Sequence, residues 1–164
     1  MALSNHKKKR FRHVIRTSMI TLAVVLLVIA IAIPVANNAI ALGVENRLKD
    51  LPLPDGAQKI SSVSSAGDLS GMHNGIQYFG AILVQSDLSK DEVFVHYAPH
   101  RQQAFDCIVA DASEARTILS GMSLGDIESS FAADAIQDDW YLIYSWGNPP
   151  DWLWDILNLD SRSR

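Results

Sequence analysis

One long apolar run near the N-terminus dominates the hydrophobic pattern of this chain. Residues 17–36 (TSMITLAVVLLVIAIAIPVA) carry no charge, and 11 of these 20 residues are Ile, Leu or Val. As a helix the run is about 30 Å long, which matches the hydrocarbon core of a bilayer. Apolar residues fall on every face of that helix, unlike the single apolar stripe of a surface helix. The pattern predicts a transmembrane helix over residues 17–36, in contact with the lipid bilayer.

The second half of the chain alternates between apolar and polar positions and predicts a small sheet. Residues 58–67 (QKISSVSSAG) are typical of a polar edge strand, and residues 75–86 (GIQYFGAILVQS) are apolar on both faces, as in a central strand. Residues 104–110 (AFDCIVA) and 139–147 (DWYLIYSWG) predict two further strands. Residues 37–57, which include Pro52 and Pro54, are predicted to be a linker between the apolar run and this domain.

Helical signals lie between the predicted strands. Ser89 and Glu92 have the spacing of a capping box, and the helix that they begin should end at Pro99. Residues 115–119 (ARTIL) are interpreted as a strand and residues 123–136 as a helix, and a last helix is predicted from the Pro149-Pro150 pair through Leu157. The strands follow one another without regular helical crossovers, which favours antiparallel pairing. The predicted fold class is α+β: a single N-terminal transmembrane helix followed by a small, mainly antiparallel sheet with two or three helices, the sheet domain covering residues 58–164.

Charge is distributed unevenly along the chain and predicts its orientation. Residues 1–16 contain six of the 14 Lys and Arg residues and no acid, whereas the rest contains eight basic and 18 acidic residues. The positive-inside rule therefore predicts a cytoplasmic tail over residues 1–16 and a domain outside the cytoplasm. The acidic remainder argues against nucleic-acid binding, which needs a basic face.

The apolar run has two interpretations, a signal anchor that stays in the membrane and a signal peptide that is removed. Ala39-Ile40-Ala41 matches the small-x-small pattern of signal peptidase sites, and cleavage after Ala41 would release a secreted domain. The run is longer than the 7–15 residues of a typical signal-peptide core, and the site lies several residues beyond it. These lengths favour the uncleaved signal anchor.

Gly121-Met122-Ser123-Leu124-Gly125 is a formal G-x-S-x-G motif and the best candidate for catalysis. The domain is short for a hydrolase of that fold, and no histidine follows His100 to complete a Ser-acid-His order. Ser123 also suits the N-cap of the helix that follows it. The sequence therefore predicts no catalytic residue and no enzyme, with a secreted hydrolase acting through Ser123 as the alternative.

Metal-binding signals are weak. His96 and His100 have the i, i+4 spacing of a helical metal pair, but Pro99 lies between them and an exposed helix end explains them as well. Three aspartates at positions 134, 138 and 139 lack the spacing of a calcium loop. The single cysteine, Cys107, alternates with apolar residues and is interpreted as a small buried side chain. No metal site and no cofactor are predicted, and a metal-binding sensor remains an alternative.

All four tryptophans lie in the last 25 residues, at positions 140, 146, 152 and 154. Core packing is the favoured interpretation, and a surface that stacks on a ligand or lies at the membrane interface is the alternative. Because Trp152 and Trp154 are two residues apart, a helix would point them in different directions.

Residues 71–92 (GMHNGIQYFGAILVQSDLSKDE) and 140–147 (WYLIYSWG), together with DCIVA, resemble short, uncharacterised, N-terminally anchored proteins of Gram-positive bacteria. The resemblance covers most of the domain and implies an extracytoplasmic α+β domain behind a single anchor. It implies no activity and no catalytic residues. The function expected from the sequence is a single-pass membrane protein that presents a non-enzymatic accessory or interaction module to a protein partner in the cell envelope.

Overall fold

The computed structural model describes residues 3–70, 75–102, 107–122 and 131–147. The chain begins with a single long helix, α1, over Leu3–Lys49. By length and composition α1 is able to cross a membrane. A membrane-spanning helix near the N-terminus was predicted, but this helix continues well beyond residue 36.

In the described residues, four strands form one antiparallel sheet in the order β1-β2-β4-β3. Their bounds are β1 Gln58–Gly67, β2 Gln77–Gln85, β3 Ile108–Ala110 and β4 Trp140–Gly147. Two further helices, α2 (Lys90–Tyr97) and α3 (Ala112–Ser120), and 3-10 turns at Ala98–Gln102 and Ala133–Ala135 complete the described part. The predicted α+β class is confirmed, with β1 at an edge and β2 inside the sheet.

The two faces of the sheet are covered by different elements. On one face, Ile82 and Val84 of β2 pack with α2 and with Leu48 of α1. On the other face, Phe79 and Leu83 of β2 pack with α3 and with the chain around the second 3-10 turn. This division follows the alternation of side chains along each strand, as predicted for β2 and β4.

The prediction of a strand at residues 115–119 is wrong, because these residues belong to α3. Asp111 caps this helix by accepting hydrogen bonds from the backbone of Ser113 and Glu114, and the Glu114 side chain completes a capping box. Ala112, Ala115 and Leu119, spaced three and four residues apart, are the buried positions of the helix. The helical spacing and the cap together outweigh the strand preference of Thr117 and Ile118.

Two other predicted segments differ from the structure or lie partly outside the described residues. Residues 37–49, placed in a linker by the sequence, are helical and pack against the sheet. Of the helix predicted over 123–136, the described residues contain only the short 3-10 turn at Ala133–Ala135. Ser123 and the helix predicted after Gly147 lie outside the described residues.

Candidate functional site

The most distinctive site in the described part of the chain is the junction between the second half of α1 and the sheet. The buried residues of α1 are spaced by three or four positions, which places them on one face of the helix. They are Ile33, Asn37, Ala41, Glu45 and Leu48. Two of them are polar, which is unusual for a face that packs on a sheet.

Asn37 is completely buried and bonds to the strand beneath it. The hydroxyl of Tyr78, near the start of β2, donates a hydrogen bond of 2.7 Å to the Asn37 side-chain oxygen. Around this pair lie Ala41, Ala66 and Ile76, all buried. A buried polar group is costly without a partner, so this bond fixes where along α1 the sheet docks.

Glu45 lies one turn beyond Ala41 and binds β1. Its carboxylate accepts hydrogen bonds from the Ser62 hydroxyl at 2.7 Å and from the Lys49 ammonium at 3.1 Å. Burial favours the neutral acid, but hydrogen bonds from Ser62, Ser64 and Lys49 outweigh it and lower the pKa of Glu45 below its ordinary value. The serine-rich sequence of β1 thus supplies hydroxyls that hold a charged side chain against the sheet.

Gly80 brings the two backbones close together. A Cβ atom at residue 80 would lie 2.7 Å from the Glu45 backbone nitrogen and 2.8 Å from a methyl carbon of Val44. No side chain larger than hydrogen fits between β2 and α1 here without moving the helix. The glycine therefore allows the polar groups of α1 to reach β1 and β2.

A second feature is a groove of about 530 Å³ along β3, the short edge strand. Its floor is largely apolar, and Lys90 of α2 closes one side with ion pairs to Glu114 at 2.6 Å and Asp111 at 3.2 Å. The lining residues are Lys90, Phe94, Ile108, Val109, Ala110, Ser113, Glu114, Thr117, Ile118 and Tyr144. Among the described strands β3 pairs only with β4, so one edge of β3 faces this groove.

The histidines considered as metal ligands have other surroundings. His96 Nε2 lies 2.9 Å from the Pro52 carbonyl oxygen, which ties α2 to the chain that follows α1. His100 lies in the 3-10 turn after α2. Within the described ranges, no three His, Cys, Asp or Glu side chains come together as a group able to hold a metal ion.

The acidic residues near β4 tie neighbouring segments together. Asp138 pairs with Arg116 of α3 at 2.7 Å, and Asp139 accepts a hydrogen bond of 2.6 Å from the Gln85 side chain. Asp134 lies in the second 3-10 turn. The structure therefore gives two of the three aspartates a structural role at the end of the sheet.

The cysteine and the described tryptophans belong to the core. Cys107 is completely buried, and burial raises the pKa of its thiol to about 11. Trp140 is buried against the α3 face, and Trp146 is half-buried with its ring edge-on to Phe79 at 6.2 Å between centroids. Trp152 and Trp154 lie outside the described residues.

The helix–sheet junction was not predicted from the sequence. Asn37, Ala41, Glu45 and Leu48 have helical spacing, and that spacing is the signal that could have revealed the buried face. The polar side chains within it and Gly43 obscured the signal, since they are typical of a helix end.

No known family model, curated protein or solved structure matches this chain.

Proposed function

We propose that this chain is a single-pass membrane protein of the cell envelope, anchored by α1 with residues 1–16 in the cytoplasm. Its sheet domain acts outside the cytoplasm as a non-enzymatic accessory or interaction module. The observation that carries the proposal is the division of α1 into an exposed apolar half and a half that is built into the domain.

The apolar half of α1 supports the membrane anchor. Its large hydrophobic side chains from Val14 to Val35 are almost all exposed, on every side of the helix. A soluble monomer does not leave so long an apolar surface in water. The Thr17 and Thr21 hydroxyls donate to the carbonyls of His13 and Thr17, both at 3.0 Å, so neither hydroxyl needs water as a partner.

The packed half of α1 favours an anchor that is not cleaved. Cleavage after Ala41 would divide the helix at a residue that is only 1% exposed. It would also remove Asn37, the hydrogen-bond partner of Tyr78, from the folded domain. Because the domain uses residues on both sides of the Ala39-Ile40-Ala41 site, retention of the whole helix is the state that preserves its core.

The groove along β3 supports an interaction role. An edge strand with a free side can accept an extended peptide as an additional strand, and apolar pockets beside it can select side chains. Ile108, Ile118 and the partly exposed ring of Phe94 supply such apolar surface. A protein partner in the cell envelope that offers an extended apolar segment fits this site.

Intact mass and cysteine labelling test the anchor and its orientation. We expect the full-length mass in the membrane fraction of expressing cells, whereas the mass of a chain that begins at Leu42, found in the medium, would contradict the anchor.

For the labelling experiment, Val95→Cys places a thiol at a position that is 68% exposed, and Ser4→Cys is the matched variant in the predicted cytoplasmic tail. A membrane-impermeant maleimide should label the first and spare the second in intact cells, because only the first lies outside the cytoplasm in the proposed orientation. Cys107 is buried and should add no background labelling. The reverse pattern would overturn the orientation.

Crosslinking in cells tests the interaction module. A photoreactive amino acid at Thr117, an exposed residue of the groove, should give a discrete adduct with one envelope protein. The same amino acid at Val95, which is exposed outside the groove, is the control. Absence of a discrete adduct at Thr117, or equal adducts at both positions, would contradict the proposal.

A further inference from the structure

The small-x-small sequence Ala39-Ile40-Ala41 has the position of a signal peptidase site, but the fold conceals it. It follows closely on the apolar run of residues 17–36, and in the proposed topology it lies outside the cytoplasm. In the structure these residues are helical and the last of them packs on the sheet. Ala39 is exposed, Ile40 is half-buried and Ala41 is only 1% exposed. The peptide bond after Ala41 is therefore not accessible while the helix is docked.

Cleavage of this bond requires more than exposure, because α1 must also unwind. A peptide that pairs with an enzyme through its backbone does so in an extended conformation, with its N–H and C=O groups free to bond. In a helix the same groups are bonded to residues one turn away. A protease can therefore act after Ala41 only when α1 has left the sheet and has opened over about two turns around the site.

A small cluster of side chains holds α1 on the sheet at this place. The Tyr78 hydroxyl donates its hydrogen bond of 2.7 Å to Asn37, one turn before the site. Among the described residues, the buried cluster here has four members, two of them alanine: Ala41, Ala66, Ile76 and Tyr78. Leu48, about two turns farther along α1, belongs to a buried cluster of nine residues that includes side chains of α2 and of three strands. The helix is thus held less strongly at the site than near its end.

The backbone of α1 also favours unwinding around the site. Pro34 lies inside the helix and lacks the N–H that other residues donate to the preceding turn. Gly43 is inside the helix as well, and glycine is the poorest helix former after proline. A Cβ atom at residue 43 would have nothing within 4 Å, so packing does not require the glycine. The site lies between these two residues, in the stretch where α1 is easiest to open.

We infer that docking of α1 on the sheet protects a signal peptidase site, and that local undocking converts the anchored protein into a secreted one. Water adds across the Ala41–Leu42 amide, so that the carboxylate stays on the anchor and the new amine begins the released chain. The released chain keeps the bond from Ser62 to Glu45 and the packing of Leu48. This inference rests on the proposed anchoring and orientation.

Pulse–chase labelling of the full chain in expressing cells, with intact masses from membrane and medium, tests the inference. Tyr78→Phe removes the hydroxyl that bonds to Asn37 and should increase the open population about tenfold, the factor that corresponds to about 1.4 kcal/mol for a lost buried hydrogen bond. Because cleavage of a rapidly opening segment follows its open population, the chain that begins at Leu42 should form about tenfold faster. Tyr141→Phe is the matched control. It removes a bond of 2.6 Å to Leu88 outside α1 and should leave the rate unchanged.

Two further variants test the site and the unwinding separately. Ala39→Gln changes an exposed position and removes the small-x-small pattern, so in combination with Tyr78→Phe it should abolish cleavage and restore the full-length chain. Gly43→Ala lies outside the pattern and strengthens the helix, so it should slow the release of Tyr78→Phe about fivefold. If the released chain is degraded, the decay of the full-length chain and its rescue by Ala39→Gln report the same rates.

Each outcome bears on a different claim. If the parent chain itself is recovered as a chain that begins at Leu42, the uncleaved anchor fails and the inference fails with it. If the parent chain and Tyr78→Phe are both retained at full length, the anchor stands and protection by docking is overturned. Equal acceleration in Tyr141→Phe would show that global unfolding exposes the bond, and release that persists with Ala39→Gln would show that the site lies elsewhere; either result overturns the inference.

Discussion

The close contact between α1 and β2 at Gly80 makes Gly80→Ala the most informative substitution in the domain. The added Cβ would lie 2.7 Å from the Glu45 backbone nitrogen and 3.1 Å from the Glu45 Cα atom. Both are backbone atoms, which cannot rotate away as a side chain can. Ordinary contacts between such atoms begin near 3.5 Å, so α1 must rise from the sheet by about 0.8 Å. Such overpacking costs about 1 to 3 kcal/mol.

The same movement weakens a hydrogen bond that depends on close approach. The Ser62 to Glu45 bond is 2.7 Å, and a rise of about 0.8 Å brings it to the limit of hydrogen bonding. Its weakening adds about 1 kcal/mol. We therefore expect Gly80→Ala to reduce the free energy of unfolding by about 2 to 4 kcal/mol and to lower Tm by about 10 °C or more for a domain of this size.

Thermal unfolding of the detergent-solubilised full chain, followed by circular dichroism, measures this effect. Gly147→Ala is the matched control, because Gly147 is also a strand glycine but has nothing within 4 Å of an added Cβ. The control should change stability by less than about 0.5 kcal/mol. If Gly80→Ala is as stable as Gly147→Ala, α1 does not pack on the sheet as described, and residues 37–49 do not belong to the domain.

Three further predictions test the junction, the core and a helix cap. Hydrogen bonds lower the pKa of Glu45, so the stabilisation from its carboxylate is present above the ordinary pKa and is lost as the pH falls through the lowered pKa. Between neutral and acidic pH, the Tm of Glu45→Gln should therefore fall less than the Tm of the parent chain. Equal decreases in Tm would count against the junction. Cys107, buried and with a pKa of about 11, should resist a thiol reagent at neutral pH and react fully in urea; rapid labelling of the folded chain would contradict its burial. Asp111→Ala removes the cap of α3 and should cost about 1 kcal/mol in urea unfolding. Asp111→Asn, which retains an acceptor but loses the ion pair with Lys90, should cost less. Equal losses would show that Asp111 stabilises the domain through its charge and not through the cap.

The sheet was predictable because its strands bury side chains in the simplest way. β2 and β4 are apolar on two covered faces and β1 is a polar edge strand, so the composition and alternation of each segment were enough to locate it. The capping box at Ser89 and Glu92 was equally local, and the structure contains it. In these elements the residues that specify the structure lie within a few positions of each other.

The segments that were predicted wrongly depend on distant residues or on competing local signals. Asn37 and Glu45 resemble the end of a helix until Tyr78 and Ser62, 41 and 17 positions away, are brought beside them. In α3 the strand preference of Thr117 and Ile118 competed with the cap at Asp111, and burial of one helical face against the sheet decided the outcome. Tertiary packing thus overrides local preference where polar residues enter a buried face.

The two halves of α1 place their side chains in opposite environments, and the position of the change between them bears directly on the proposed function. Its first half exposes apolar side chains, which is favourable only in lipid. Its second half buries Asn37 and Glu45, which is favourable only where Tyr78, Ser62 and Lys49 supply hydrogen bonds. The change occurs within one turn, between Ile33 and Asn37, and α1 stays helical there although Pro34 lies within that turn. In the proposed topology, a domain joined to α1 in this way would not reorient freely at the membrane surface, and the groove along β3 would be presented to the proposed partner at a fixed height and in a fixed direction.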